Sequence, residues 1–383
     1  MAAEKLRICI TVNAAWNIWN FRKPLVEALL ADGHEVHVLA PSDEQARQLV
    51  AIGCDFTDLP MSRKSLNPID GYRLRKRIGD EFDRIQPDIV LGFTIKNNLF
   101  GIPAARDRGI PFIPNVTGLG TAFLGSALLR HLTVALYRRA FRTCPIAFFQ
   151  NSDDLDLFVS LGIVKRTQGR LLPGSGIDLA RFVPHPPPQN EKTRFLMIAR
   201  LLRDKGVLEY VEAARLLLTK GANAEFQLLG PLDTSNRTAI DAETVAGWSG
   251  EKDVNYLGTS ADTRVEIAAA DCVVLPSYRE GAPRTLIEAA SMQRPLVASN
   301  VPGCTAVVDD GINGLLCKAR DATDLAAKMR TLLEMSQEEQ AAMGAASRAK
   351  MQREFDVEIV IAAYREAIDE LLSGKLALDS SAL

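Results

Sequence analysis

What this sequence lacks sets the first limits. Nowhere do 18 uncharged apolar residues run together, so no membrane-spanning helix is expected. The six cysteines (Cys9, Cys54, Cys144, Cys272, Cys304, Cys317) form no CxxC pair and most lie in apolar runs. That pattern argues against a zinc or disulfide framework and for buried thiols in a reducing compartment. The opening MAAEKLRICITVNAAW has an acid in its head and no apolar stretch of signal-peptide type, so a cytosolic protein is expected. Formal charge is only −2, too little basicity to hold nucleic acid, and no nucleic-acid partner is expected. Histidines number four and aromatics make up 6%, while Gly 26 and Pro 19 leave no low-complexity tract. What is present is ordinary globular composition, 47% apolar and 24% charged. At ~150 residues per domain, 383 residues suggest two or three domains.

The small net charge hides a division. Residues 1–183 hold 23 Lys/Arg against 18 Asp/Glu, and residues 184–383 hold 22 against 29, about +5 and −7. Short β-branched runs alternate with amphipathic stretches, which predicts parallel strands joined by helices. In the first half the strands read Arg7–Val12, Glu35–Ala40, Ile89–Gly92, Phe112–Asn115 and Ile146–Gln150, with helices such as Arg22–Asp32 and Asp70–Ile85. Residues 184–188 read PHPPP, a stiff spacer taken as the domain boundary. Beyond it the alternation restarts with strands Arg194–Ile198, Glu225–Leu229, Val254–Tyr256, Cys272–Leu275 and Leu296–Ser299, and helices near 205–219, 262–269 and 284–292. The expectation is an α/β protein of two doubly wound parallel-sheet domains, 1–183 and 184–356, facing a cleft with one ligand on each wall. A last helix, about 357–372, is compatible with either domain, and residues 357–383 are assigned as able to pack back on the first.

The most informative segment is Ser277-Tyr-Arg-Glu280-Gly281-Ala-Pro283-Arg284-Thr285-Leu-Ile-Glu288-Ala-Ala. It follows a strand and leads into a helix whose first amides have no intrahelical partner, a ready site for a diphosphate. Glu280 and Glu288 flank that place. A carboxylate accepts two hydrogen bonds from a vicinal diol, at ~1.5–3 kcal/mol each when charge-assisted. Glu288 sits among Leu286, Ile287, Ala289 and Ala290, where a charge is costly unless paired. At the first strand of the second half comes Met197-Ile-Ala-Arg200-Leu-Leu-Arg203-Asp-Lys205-Gly206. Arg200 and Lys205 stand at a strand's carboxyl end, placed to meet a diphosphate from the side opposite the helix amides.

Arg200…Lys205-Gly206, Leu229-Gly230, Tyr256-Leu257-Gly258, Pro276-Ser277…Glu280-Gly281…Leu286-Ile287-Glu288-Ala289 and Asp310-Gly311…Gly314-Leu315-Leu316 stand in one order and spacing. Over about residues 194–317 this resembles glycosyltransferase family 4. The resemblance implies a GT-B fold of two Rossmann-like domains. It also implies metal-independent transfer of a sugar from a nucleotide diphosphate with retention of configuration, and no cofactor. By the same correspondence Arg200, Lys205 and Glu280 would be catalytic. Arg200, Lys205, Gly230, Leu257, Gly281, Arg284, Thr285 and Glu288 would bind the donor nucleotide, with Glu288 on the ribose hydroxyls and Glu280 near the sugar. Developing charge on the β-phosphate would be met by cations and helix amides. Asp153-Asp154-Leu-Asp156 superficially offers a metal site but reads as a helix start with its acids at the positive end.

The first half decides the acceptor. After its first strand stands Asn13-Ala-Ala-Trp16-Asn17-Ile-Trp19-Asn20-Phe21-Arg22, without the glycine common in the family, read as a loop able to present aromatic and amide groups to a sugar. Thr94-Ile-Lys96-Asn97-Asn98 and Asn115-Val-Thr117-Gly118-Leu-Gly120-Thr-Ala-Phe123 follow later strands. Trp16, Asn17, Lys96, Asn97, Thr117 and Gly118 are the candidate acceptor residues. This pair of loops is similar to those of the bacterial branch that adds hexosamines to undecaprenyl-diphosphate-linked sugars. A UDP-sugar donor of the N-acetylhexosamine class and a polyprenyl-diphosphate-linked saccharide acceptor in surface polysaccharide biosynthesis are what the resemblance implies. None of His34, His37, His131 and His185 falls where several family members carry a catalytic histidine. Residues Leu124–Arg142, with Arg130, His131, Arg138, Arg139 and Arg142, and the cluster Arg73, Arg75, Lys76 and Arg77 suit an anionic membrane surface. A membrane-associated enzyme, peripheral on the cytoplasmic face of the inner membrane, is therefore expected. The competing readings are a nucleotide-sugar 2-epimerase of similar architecture and a non-catalytic nucleotide-sugar-binding regulator.

Overall fold

The computed structural model describes residues 5–61, 67–118, 127–232, 236, 238–251 and 253–374. The chain divides into two units, the first comprising Met1–Gly176 with Val357–Leu383 and the second Ile177–Asp356. In the first, strands β1 (Arg7–Thr11), β2 (Glu35–Ala40), β3 (Asp55–Asp58), β4 (Ile89–Phe93), β5 (Phe112–Val116), β6 (Ala147–Phe149) and β7 (Gly169–Leu171) form one parallel sheet ordered β3-β2-β1-β4-β5-β6-β7. In the second, β8 (Thr193–Ile198), β9 (Ala224–Leu229), β10 (Asn255–Gly258), β11 (Cys272–Leu275), β12 (Leu296–Ser299) and β13 (Gly314–Cys317) are parallel and ordered β10-β9-β8-β11-β12-β13. Both sheets have the doubly wound order, reversing direction beside the first strand of the unit. The reversal point, outside the strands' carboxyl ends, is where such sheets hold ligands.

Alternation along each strand feeds a core on either face. Ile8 and Ile10 enter one cluster and Cys9 the other; Phe195 and Met197 likewise part from Leu196. Three strands escape a reading based on apolar runs. The edge strand β3 reads DFTD, with both aspartates exposed; β7 has three residues; and β13 is a four-residue strand after the turn Asp310–Asn313. The stretch read as one helix over 22–32 with a loop before it is two helices, Ala15–Phe21 and Lys23–Ala31. Pro24 ends the continuity, since its ring excludes an unbroken helix through Arg22.

The domain limits differ from the expected ones. Residues 177–183 and the PHPPP segment are built into the second unit. The Ile177 amide donates to Phe355 O at 2.8 Å, and Phe182 is buried. Arg294, 2% exposed, donates to the backbone carbonyls of Ile267, Ala268, His185 and Pro186 at 2.9–3.2 Å. Arg348 similarly grips Leu179, Phe182 and Ser291. A proline run has few amides of its own to pair, but its carbonyls are good acceptors, and the Arg294 guanidinium uses two of them. The last helix, Val357–Leu372, packs on the first unit through Val360, Ile361, Tyr364, Ala367, Ile368 and Leu371. Arg365 adds a bidentate pair with Asp32 at 2.7 and 2.8 Å. That helix carries more acid than base into the first unit, so by unit the formal charges are about +2 and −4, not +5 and −7.

Candidate active site

The reversal point of the second sheet lies between β8 and β11, and the loops that follow these strands carry the charged residues singled out by sequence. Gly206 closes the first loop with φ +75°; a Cβ there would lie 2.0 Å from Pro276 O, so the two loops touch backbone to backbone. The Asp204 carbonyl accepts from the Tyr278 amide at 2.9 Å and from Ser277 Oγ at 3.2 Å. This contact brings Lys205 and Glu280 together: Nζ and Oε1 are 2.5 Å apart, with side chains 22% and 13% exposed. The next loop is drawn in at Gly230, whose φ of +146° and 1.9 Å Cβ clearance to Ala199 O exclude any side chain. Its amide donates to Gly258 O at 2.7 Å, placing the ends of β8, β9 and β10 side by side, with Leu257 half-buried within β10.

The helix Arg284–Ser291 begins after Pro283 with no side-chain cap. Thr285 Oγ1 donates to Ile198 O at 3.1 Å, pinning that first turn to the end of β8. Glu288 receives the pairing its apolar setting demands: Arg284 Nε donates to Oε1 at 2.8 Å and Thr263 Oγ1 to Oε2 at 3.3 Å. Arg200 is exposed just past β8, and Gly281 lies on the approach to the helix. The structure thus brings Lys205 to Glu280, Arg284 to Glu288 and Thr285 to β8. Thr263 belongs to the same group although its sequence gave no prominence to it; the Asp262-Thr263 start of helix Arg264–Ala269 was the available signal. Tyr278, whose hydroxyl donates to Glu209 Oε1 at 2.6 Å, is a second such residue.

The corresponding point of the first sheet is rich in amides and hydroxyls, with Arg22 and Lys96 as its cations. Trp16 and Asn17 lie on the helix Ala15–Phe21, not in a loop; the Asp43 carboxylate accepts from the Trp16 amide at 2.8 Å and completes that helix start. The Trp16 ring is 48% exposed and stands edge-on to Phe21 at 5.2 Å. Asn17 Oδ1 accepts from Arg22, whose guanidinium is buried over the Phe93 ring at 4.1 Å. Asn97, expected to touch an acceptor, is 0% exposed: Nδ2 donates to Thr11 Oγ1 at 2.6 Å and Oδ1 accepts from Thr94 at 2.9 Å. Its amide is consumed in tying β1 to the end of β4. Lys96 is half-buried, and desolvation pulls its ammonium below the usual lysine range against the opposing pull of Asp70. Thr117 and Gly118 are half-buried just after β5, and the rest of that expected loop, 119–123, lies outside the described residues.

Asp153 and Asp154 open the helix Ser152–Ser160, where Asn151 caps by accepting from the Asp154 amide at 2.8 Å. Among the described residues no group of three or more His, Cys, Asp or Glu side chains is arranged to hold a metal ion. All six cysteines are buried and unpaired by disulfides, and burial raises their thiols, Cys317 to about 11 and Cys54 to about 12.

Two family descriptions match the chain, "Glycosyl transferases group 1" over residues 192–335 and "Glycosyl transferase 4-like domain" over residues 18–174. The chain belongs to glycosyltransferase family 4. This family 4 glycosyltransferase is 29% identical, over 96% of its length and 99% of the relative's, to the N,N'-diacetylbacillosaminyl-diphospho-undecaprenol alpha-1,3-N-acetylgalactosaminyltransferase of Campylobacter jejuni. It is 26% identical, over 61% of its length and 63% of the relative's, to the UDP-Gal:alpha-D-GlcNAc-diphosphoundecaprenol alpha-1,3-galactosyltransferase of Escherichia coli. Among solved structures, Anabaena HepE in complex with UDP and glucose superposes with a TM-score of 0.76 at 17% identity, over 95% of this chain and 99% of that one. The sucrose-phosphate synthase of Thermosynechococcus elongatus gives 0.78 at 18%, over 97% and 100%. The fold is GT-B. Both named sequence relatives are transferases, so neither the epimerase nor the regulatory reading is favoured. No helix among the described residues is long and apolar enough to cross a membrane.

Proposed function

We propose that this glycosyltransferase moves an N-acetylhexosamine from a UDP-sugar to an undecaprenyl-diphosphate-linked saccharide, with retention of anomeric configuration, in the assembly of a surface glycan. The observation that carries the reading is the convergence of Lys205–Glu280 and Arg284–Glu288 at the reversal point between β8 and β11. The full-length likeness to a transferase acting on a diphospho-undecaprenol sugar supports the acceptor class. The likeness to a UDP-bound structure supports the donor.

In this reading Arg200, Lys205 and the first amides of helix Arg284–Ser291 bind the diphosphate, and Glu288 accepts from the ribose hydroxyls while Gly230 and Leu257 border the nucleotide. As the bond from the anomeric carbon to the UDP oxygen breaks, charge grows on the β-phosphate, where fixed cations stabilise it most. The acceptor hydroxyl attacks from the same face and its proton passes to a donor phosphate oxygen, which keeps the configuration and needs no protein base. Glu280, paired to Lys205 through one oxygen, orients that ammonium and offers its other oxygen to a sugar hydroxyl. With protein cations in this role, turnover persists in EDTA; loss of activity that Mn²⁺ restores would overturn the metal-independent mechanism.

The first unit takes the lipid-linked acceptor, with Trp16, Asn17, Lys96, Thr117 and Gly118 toward the saccharide and Asn97 supporting them. The helix Ala127–Phe141 buries Val134, Tyr137, Ala140 and Phe141 and exposes His131, Leu132, Leu136, Arg138 and Arg139, without an acid on it. Such a face suits the headgroup region of an anionic bilayer on the cytoplasmic side. The protein is expected to sediment with anionic vesicles at low salt and to be released at high salt. Equal recovery with neutral vesicles would remove the membrane from the reading. The donor is tested by screening UDP-N-acetylglucosamine, UDP-N-acetylgalactosamine, UDP-glucose and UDP-galactose for turnover; activity only with the hexoses would overturn the N-acetylhexosamine assignment.

A further inference from the structure

We infer that Tyr278 is a positioning residue for transfer, holding Lys205 and Glu280 in register through its hydroxyl bond to Glu209; this rests on the donor-site reading above. The loop after β8 bears Lys205 and the loop after β11 bears Glu280, and the ion pair has the right geometry only if both loops keep their relative height. Three contacts stitch them, and all lie within a few residues of Tyr278. The backbone approach at Gly206 and Pro276 is fixed by the absence of a side chain. The Asp204 carbonyl takes the Tyr278 amide and the Ser277 hydroxyl. The third is the Tyr278 hydroxyl, which crosses to Glu209 Oε1 at 2.6 Å on the first turn of helix Val207–Thr219, the helix that Lys205 leads into.

The ring itself is held from the other side. Arg320 carries its guanidinium 4.5 Å from the Tyr278 centroid, from a backbone with φ +61° that a non-glycine residue adopts only under constraint. Burial and the adjacent Glu209 carboxylate push the phenol up to about 12, so it stays a donor throughout ordinary assay conditions. Glu209 Oε2 is buried without a hydrogen-bond partner, so removing the tyrosine hydroxyl would leave both carboxylate oxygens unanswered. A displacement of the two loops by a fraction of an ångström weakens the grip on the leaving diphosphate in the transition state far more than ground-state binding of the nucleotide.

Tyr278→Phe keeps the ring beneath Arg320 and removes only the hydroxyl. Expected is a loss of about 10–100-fold in kcat, with KM for the UDP-sugar and calorimetric affinity for UDP changed less than about threefold. Glu209→Ala should reproduce the loss, Glu209→Gln, whose amide oxygen still accepts, should restore most of it, and the Tyr278→Phe/Glu209→Ala double variant should be no worse than either single one. A purely structural role would lower melting temperature and the yield of folded enzyme without splitting kcat from KM. If Tyr278→Phe does not fold, the Glu209→Ala and Glu209→Gln pair carries the test alone. A kcat within twofold of wild type in the folded variant, or equal losses in Glu209→Ala and Glu209→Gln, overturns the inference. Lys205→Ala is the control: if it too turns over normally, the donor-site reading has failed, whereas an inactive Lys205→Ala beside a normal Tyr278→Phe condemns only the role of Tyr278.

Discussion

The two units share one strand order and put their loops at the same reversal point, yet they furnish that point with opposite chemistry. In the second unit the loops after β8 and β11 and the helix Arg284–Ser291 present two ion pairs, Lys205–Glu280 and Arg284–Glu288, each partly shielded from water. In the first, the ends of β1 and β4, strand β5, the helix Ile95–Arg106 and the last helix are tied through hydroxyls and amides: Thr11, Asn97 and Thr94 in one chain, Asn98, Asn115 and Tyr364 in another. Topology therefore fixes where a ligand is met, and side chains fix what is met. A charged point suits a diphosphate, whose recognition is electrostatic. An amide-rich point beside an exposed indole suits sugar hydroxyls.

The contrast can be attacked at four places, in falling order of effect. Lys205→Ala, removing the cation proposed to face the developing phosphate charge, is expected to cost about 10²–10³ in kcat, measured as UDP release per folded enzyme. Retention of most turnover would mean that the charged point is not where the diphosphate leaves. Glu288→Ala removes charge-assisted bonding, worth about 1.5–3 kcal/mol for a single bond, so calorimetric UDP affinity should fall at least about 10–100-fold; unchanged affinity would dissociate this carboxylate from the ribose. On the other side Asn97→Ala strands the buried Thr11 and the half-buried Thr94 and should lower unfolding free energy by about 1–3 kcal/mol in denaturant melts. UDP affinity should stay as in wild type, and a drop in it would break the independence of the two points. Trp16→Ala is the mildest: its exposed ring predicts a stability change within about 0.5 kcal/mol. The KM for lipid-linked acceptor should nevertheless rise, and an unaltered KM would take Trp16 out of the acceptor site.

The same difference explains what the residues disclosed beforehand. Charges in apolar settings stand out, because a carboxylate such as Glu288 between Ile287 and Ala289 must find a partner, and Arg284 one turn away was already in view. Neutral networks do not stand out. Nothing in Asn97 distinguishes an amide aimed at a sugar from one bonded to Thr11, a residue 86 positions earlier whose proximity only the sheet reveals. Long apolar strands were legible, whereas β3, written DFTD, and the three-residue β7 carry too little pattern to be read. The proline run looked like a free spacer because its fastening lies elsewhere, in Arg294, more than 100 residues away. The charge division is smaller by unit than by sequence half because the last helix carries its acids onto the first unit.

The central claim is transfer of one N-acetylhexosamine from UDP to a lipid-linked saccharide at the charged point. It is tested most directly by mass spectrometry of an undecaprenyl-diphosphate monosaccharide after incubation with UDP-N-acetylhexosamine and either wild-type enzyme or Lys205→Ala. A lipid heavier by one N-acetylhexosamine with the wild type, and unchanged lipid with the variant, is the expected result. UDP release without a heavier lipid, or an equal mass gain with both proteins, would contradict it.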